Sequence, residues 1–276
     1  RNQADGLGKP LPQVIDPDQI DNWRRYAKLR TQLYPYISGA AAEYRKTGLP
    51  MMRAMLLDFP GDRKAAGLED QYMFGGDLLV APVIEAGQST RKVYLPKGKW
   101  VDFWRSITLD KVTGQLYPGR ARLKNGGGWR SMPAPADEIP LLIKPGAMLT
   151  TVSSEIDTLS PFGVDRTIIN LEDRTDRKLY AYPRGKSSSR FEESGRINSV
   201  EKKGSLKITV SDSQTRLWDV TVATTTMKKP IRPRCVKLNG KKLGNRAWQS
   251  ANGTVRLTVV PNSRKFTLAL FARACR

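Results

Sequence analysis

Apolar residues recur along this chain in two rhythms, and the change falls near residue 78. From Asp18 they return every three or four positions, as Ile20, Trp23, Tyr26, Leu29, Leu33, Ile37, Ala40 and Tyr44, the spacing of one helical face. Asp18 or Asp21 suits the start of such a helix, and Gly48 with Pro50 suits its end. Pro35 lies inside the pattern, where its ring and missing N–H predict a kink or a division. Met51–Phe59 then reads as one short apolar strand.

From Leu78 onward, short apolar runs separated by Gly, Pro and Lys-Gly turns replace the helical spacing: LLVAPVI, RKVYLP, KWVDFW, IPLLIKPGAML and KLYAYP. Such runs predict antiparallel strands in a sandwich. The polar stretch around 186–205 reads as a hairpin, and the later runs SLKITVS, TRLWDVTVAT, GTVRLTVV and KFTLALF alternate as half-buried strands do. Asn239-Gly240 is a strong hairpin signal within RCVKLNGKKL. The predicted organisation is a helix-bearing segment over 1–77 followed by an all-β remainder. The first segment is too small to close a core, so it reads as a piece of something larger.

Composition narrows the chemistry. No run of eighteen apolar residues occurs in the 276, which excludes a membrane-spanning helix. Histidine is absent, so Ser-His-Asp and Cys-His catalysis and a His-dependent zinc site are excluded within the chain. Cys235 and Cys275 are the only cysteines, too few for a thiolate cluster; they are either a disulfide, as suits an extracellular or periplasmic protein, or two buried thiols. The formal charge of +21 is uneven, at +1 over 1–80 and +15 over 202–276. The basic end suits an anionic polymer, or is simply the solvated surface of a β-domain. The opening at Arg1, with no basic-then-apolar leader, suggests a segment upstream.

Particular motifs say more than composition. Residues 23–63 carry Tyr26, Leu33, Pro35 and Tyr36, then Gly48, Pro50 and Arg53, then Phe59, Pro60 and Asp62. Residues 69–104 read EDQYMFGGDLLVAPVIEAGQSTRKVYLPKGKWVDFW. In order and spacing this resembles glycoside hydrolase family 31, the α-glucosidases and α-xylosidases, over about residues 1–165. The resemblance implies a mainly β fold: the last elements of a (β/α)8 catalytic barrel at 1–77, a proximal antiparallel β-sandwich at 78–165, and a distal basic β-sandwich at 166–276.

Retaining glycosidases need two carboxyl groups about 5–5.5 Å apart across the scissile bond. The family's W-x-D-M-N-E-like nucleophile motif and G-D-N-like acid/base motif do not occur in this chain. The resemblance therefore implies no catalytic residue, metal or cofactor here. Asp58, ending MMRAMLLDF where barrel sites are built, is a substrate-pocket candidate. The alternative is that Asp58 and Asp62 cap or salt-bridge the loop while Asp70 orients the start of the sandwich. Arg1, near the family's R-x-H-like sugar-contacting motif, is the second pocket candidate. Trp100 and Trp104 are expected in the core, while Trp129, in NGGGWRSMPAP on a Gly-rich loop, is the candidate for stacking on a sugar.

Three functions are compatible with these observations. The first is the C-terminal part of an α-glycosidase, partnered by an upstream catalytic barrel segment in the same or another polypeptide and acting on an oligosaccharide or α-glycoside. The second is a stand-alone module binding anionic polysaccharide through 202–276. The third, a nucleic-acid binder, has only charge in its favour.

Overall fold

The computed structural model describes residues 17–161 and 167–275, so Arg1 lies outside the described residues. The predicted helix is divided in two: α1 (Pro17–Gln32) and α2 (Tyr34–Thr47) meet at Leu33. Pro35 falls in the first turn of α2, where its missing N–H breaks no helical bond. Gly48 closes α2 in the left-handed conformation, its N–H reaching the Tyr44 carbonyl. Only the middle of the predicted stripe is covered: Leu29, Leu33 and Ala40 are buried, whereas Trp23 and Tyr44 at its ends are 57% and 53% exposed.

Met51–Phe59 is not a single strand. Met52–Ala54 is extended, but Met55–Asp58 turns into helix, because only Met55 is buried while Leu56 and Leu57 are each 46% exposed.

The central element is a six-stranded antiparallel sheet. Its spatial order is Met52–Ala54, Tyr72–Phe74, Leu78–Val80, Leu141–Ile143, Lys99–Asp102 and Leu123–Asn125. The expected partition between residues 77 and 78 cuts through this sheet. Moreover, Met52–Ala54 runs antiparallel to its neighbour, which a strand of a parallel barrel does not.

Successive side chains alternate between two cores, as strand geometry requires. Leu78, Val101, Leu141 and Ile143 face Leu29, Leu33, Tyr36 and Trp104. Leu79, Trp100 and Leu142 face Val93, Leu95 and Met132 on the paired strands Thr90–Leu95 and Gly128–Pro133. Burial of both faces explains why these strands read as continuous apolar runs rather than alternating ones. The proximal region thus packs its central sheet on a two-stranded sheet at one face and on α1 and α2 at the other.

Two further sheets form the distal region. One is ordered Met148–Thr151, Arg177–Ala181, Trp218–Ala223, Thr254–Val259, Gln249–Ala251. The other is ordered Lys186–Phe191, Gly195–Lys202, Ser205–Ser211, Lys265–Phe271, Cys235–Leu238, Lys241–Lys242. They enclose a core that includes Phe191, Trp218, Val220, Leu257 and Leu268. Since Met148–Thr151 opens the first sheet, the expected partition at 165 and 166 also misses the boundary of this unit. Nor is the sandwich wholly antiparallel: Arg177–Ala181 and Trp218–Ala223 pair in parallel, because the chain crosses to the other sheet and returns between them.

The predicted turn at Asn239-Gly240 is present, with φ of 49° and 83° joining Leu238 to Lys241, as a type I′ turn needs. The polar stretch around 186–205 forms the expected hairpin, Lys186–Phe191 paired with Gly195–Lys202, and Ser205–Ser211 extends it into a three-stranded meander. Cys235 and Cys275 are joined by a disulfide across 40 residues, fixing the chain after the last strand beside Cys235–Leu238.

One core connects everything. Leu149, Tyr180, Tyr182 and Ala223, on the opposite face of the five-stranded distal sheet, join Leu29, Leu33, Tyr36 and the proximal Leu141 and Ile143. At Gly39 α2 lies so close to the distal strand that a Cβ would sit 2.7 Å from the Arg190 carbonyl oxygen.

Two outcomes are expected in urea titrations followed by circular dichroism. Leu33→Ala should lower unfolding free energy by about 2–5 kcal/mol, as other buried leucine truncations do, and keep a single transition. Cys275→Ser should cost about 2–4 kcal/mol by freeing the loop in the unfolded chain.

Candidate functional site

The polar groups of most chemical interest lie where α2, the proximal sheet and the distal sheet converge. Arg53, on the edge strand Met52–Ala54, is buried beneath the start of the short helix. Its Nε donates to the Pro50 carbonyl at 2.9 Å, its Nη2 to Glu43 Oε2 at 2.5 Å, and its Nη1 to Asp58 Oδ1 at 3.4 Å. Burial opposes the charge on Arg53, but the hydrogen bond and charge of Glu43, with Asp58, outweigh it and raise the pKa. The arginine thus ties the end of α2 to the loop that Asp58 begins.

Asp58 is partly buried, and its Oδ2 is enclosed without a hydrogen-bond partner among the described residues. Burial raises its pKa, countered by the charges of Arg53 and Lys144. Asp58 is thus held by a salt bridge to Arg53. Asp62 caps the next helical turn through the Lys64 and Ala65 N–H groups and accepts the Tyr94 hydroxyl, while Asp70 pairs with Arg91 at 2.5 Å.

Trp129 is 42% exposed, but it sits in the strand Gly128–Pro133 rather than on a loop, and its ring meets Tyr94 edge-on. Trp100 and Trp104 are buried, their Nε1 atoms donating to the Pro96 and Ile139 carbonyls at 2.9 and 2.7 Å. Asp58 and Trp129 have no direct contact with each other.

Asp77, inside the motif-bearing stretch 69–104, is the most perturbed carboxylate of this region. It follows Gly75-Gly76 and immediately precedes the strand Leu78–Val80. Its backbone N–H donates to Tyr36 Oη at 3.1 Å, its carbonyl accepts from the Lys144 N–H at 2.8 Å, and its Oδ2 accepts from Ser189 Oγ at 3.2 Å. Tyr36 in turn donates to the Phe74 carbonyl at 2.5 Å. Burial pushes the Asp77 carboxyl up to about 6, against the pull of Lys144 and the Ser189 hydroxyl. Burial, reinforced by the charge of Asp77, also holds the Tyr36 phenol well above its usual range. No sequence signal marks Ser189 or Lys144, because they reach Asp77 only after three separate elements have packed.

A carboxyl whose pKa is higher folded than unfolded retains its proton in the folded state while losing it in the unfolded one. Stability from this source is full below about pH 4 and is lost as pH rises through about 6. Asp77→Asn should remove that dependence. The wild type should lose on the order of 2–3 kcal/mol more than the variant between pH 4 and 6.5, read from urea midpoints at each pH.

Residues 48–149 match the model of the glycosyl hydrolase family 31 C-terminal domain. That match begins at Gly48, just before the first strand of the proximal sheet. An isomaltosyltransferase of Sporosarcina globispora is 40% identical over 130 residues, covering 47% of this chain and 10% of that protein. A sulfoquinovosidase of Escherichia coli is 40% identical over 104 residues, covering 38% of this chain and 14% of that protein. The chain therefore spans only a small part of the curated relatives it matches.

Among solved structures, the cycloalternan-forming enzyme of Listeria monocytogenes superposes with a TM-score of 0.73 at 24% identity, over 93% of this chain and 24% of that one. A dextranase of Flavobacterium johnsoniae gives 0.71 at 21% identity, over 96% and 34%. These two likenesses show that the fold extends across the distal region. With the motifs at 23–104, the domain match identifies residues 48–149 as a glycosyl hydrolase family 31 C-terminal domain, and the two superpositions add a likeness of fold alone.

Proposed function

We propose that the chain is the C-terminal part of an α-glycosidase that hydrolyses O-glycosidic bonds, supporting the catalytic barrel without supplying its carboxylate pair. The observation that carries this reading is an uncovered apolar stretch, Met51, Met52, Leu56 and Leu57, beside the anchored Glu43–Arg53–Asp58 network. Apolar residues clustered at the surface over a rigid ionic support suit a permanent interface. The upstream barrel segment, in the same polypeptide or a partner chain, is the occupant proposed for it.

On this reading α1 and α2 are the barrel's last helices, Asp58 stands at the wall of the substrate pocket, and Trp129 is available to stack on an oligosaccharide or α-glycoside. The Cys235–Cys275 disulfide supports an extracellular or periplasmic location.

A second reading, an accessory module for anionic polysaccharide, is favoured by a cleft of about 530 Å³ lined by Arg120, Arg232, Thr225 and Asn252. Neither arginine forms a salt bridge among the described residues. Salt-sensitive retention on an alginate column, lost in an Arg120→Ala/Arg232→Ala variant, would support it.

The principal reading is tested by assaying an aryl α-glucoside with the chain alone and after mixing with the separately expressed upstream segment of its parent. The chain alone should be inactive. The mixture should be active and lose that activity with Leu56→Asp/Leu57→Asp. Turnover by the pure chain, abolished by Asp58→Asn, would overturn the proposal.

A further inference from the structure

A second cleft, remote in sequence from the Asp58 region, lies on the five-stranded distal sheet. The strands Trp218–Ala223 and Thr254–Val259 send Val220, Val222, Val255 and Leu257 into the distal core. Asp219, Thr221, Arg256 and Thr258 consequently project from the opposite face. Register places Asp219 opposite Thr258, Thr221 opposite Arg256, and Arg256 opposite Gln249 on the edge strand. The 3₁₀ turn Asn245–Ala247 and Trp248 complete a cleft of about 370 Å³. That lies within the range of roughly 300–1,000 Å³ usual for small-molecule sites.

Its charges are held apart. The Thr258 hydroxyl donates to Asp219 Oδ1 at 2.7 Å, orienting the carboxylate. The Arg256 guanidinium is anchored on the Pro118 carbonyl, which the proximal region contributes. No salt bridge joins Asp219 to Arg246 or Arg256 among the described residues. An anionic ligand would meet the Asp219 carboxylate, and a cationic one would meet two guanidinium groups. A neutral polyhydroxylated ring suits both, since each hydroxyl can donate to the carboxylate and accept from an arginine or the Gln249 amide. Trp248, partly buried against the distal core, also lines the cleft and gives it an aromatic wall on which the C–H face of such a ring could rest.

We propose that this cleft, formed by Asp219, Arg246, Trp248, Gln249 and Arg256, is a non-catalytic binding site for a neutral saccharide of one or two rings. The choice of sugar rests on the glycosidase reading; the site itself rests on the cleft's own chemistry.

Isothermal titration of the whole chain with isomaltotriose and with maltotriose tests it. At least one should bind saturably with a Kd of about 1 mM or tighter. Asp219→Ala and Gln249→Ala, both at exposed positions, should each weaken binding about tenfold while leaving thermal unfolding unchanged. Trp23→Ala, on the exposed part of α1, should bind as the wild type does. Absence of saturable heat up to about 20 mM of both sugars, or affinity unchanged in the Asp219 and Gln249 variants, would overturn the proposal. So would tighter binding of a galacturonate trisaccharide than of either neutral one. These titrations need neither turnover nor the upstream segment, so a failure to reconstitute hydrolysis would not alter what they measure.

Discussion

The rest of the molecule depends on a core that no single sheet owns. Leu29, Leu33 and Tyr36 from the helix pair meet Leu78, Val101 and Ile143 from the central sheet, and Leu149, Tyr180 and Tyr182 from the distal one. Apolar burial has no direction, but packing at crystal-like density does have a shape. Once three surfaces share one set of interdigitated side chains, none can rotate against the others without opening a void. The hydrogen bonds that cross these borders, Tyr36 to Phe74, Ser189 to Asp77 and the Glu192 N–H to the Pro35 carbonyl, are consequences of that registration. They are specific because the core has already placed their partners within reach.

This arrangement also accounts for what is legible in the sequence. Local signals are readable because they act within a few residues: the helical period, the break near Pro35, the Asn239-Gly240 turn and the alternation of the distal strands. The family motifs at 23–104 carry more, since their order reflects the whole fold. What cannot be read is how segments share a sheet. Met52–Ala54 has no local feature that distinguishes a barrel strand from an edge strand paired antiparallel with Tyr72–Phe74. Likewise, Met148–Thr151 follows the proximal strands in sequence but hydrogen-bonds with the distal ones.

The candidate site shows the same division. Asp58 and Arg53 stand close together in one motif-bearing stretch, so the sequence marks that region as a site. Asp77 acquires its perturbed carboxyl only from burial beneath α2 and beside Ser189, 112 residues away. The distal cleft is more remote still from sequence reading. Asp219, Trp248 and Arg256 come from three segments with no motif among them, and only strand register sets them on one wall. Charge density points to this end of the chain for a different reason, and the sign of the total says nothing about how individual charges are paired.

Two of those positive charges have a use that requires no ligand. One border of the six-stranded distal sheet is the two-residue strand Lys241–Lys242, both exposed. A sheet border offers unpaired backbone groups to any extended chain that drifts against it. Two ammonium groups on so short a border make that association costly, because a newcomer would have to desolvate them or lie out of register. The same lysines that suggest an affinity for polyanions therefore also work as a guard rail, allowing an arginine- and lysine-rich β-domain to be crowded with its own copies and remain separate.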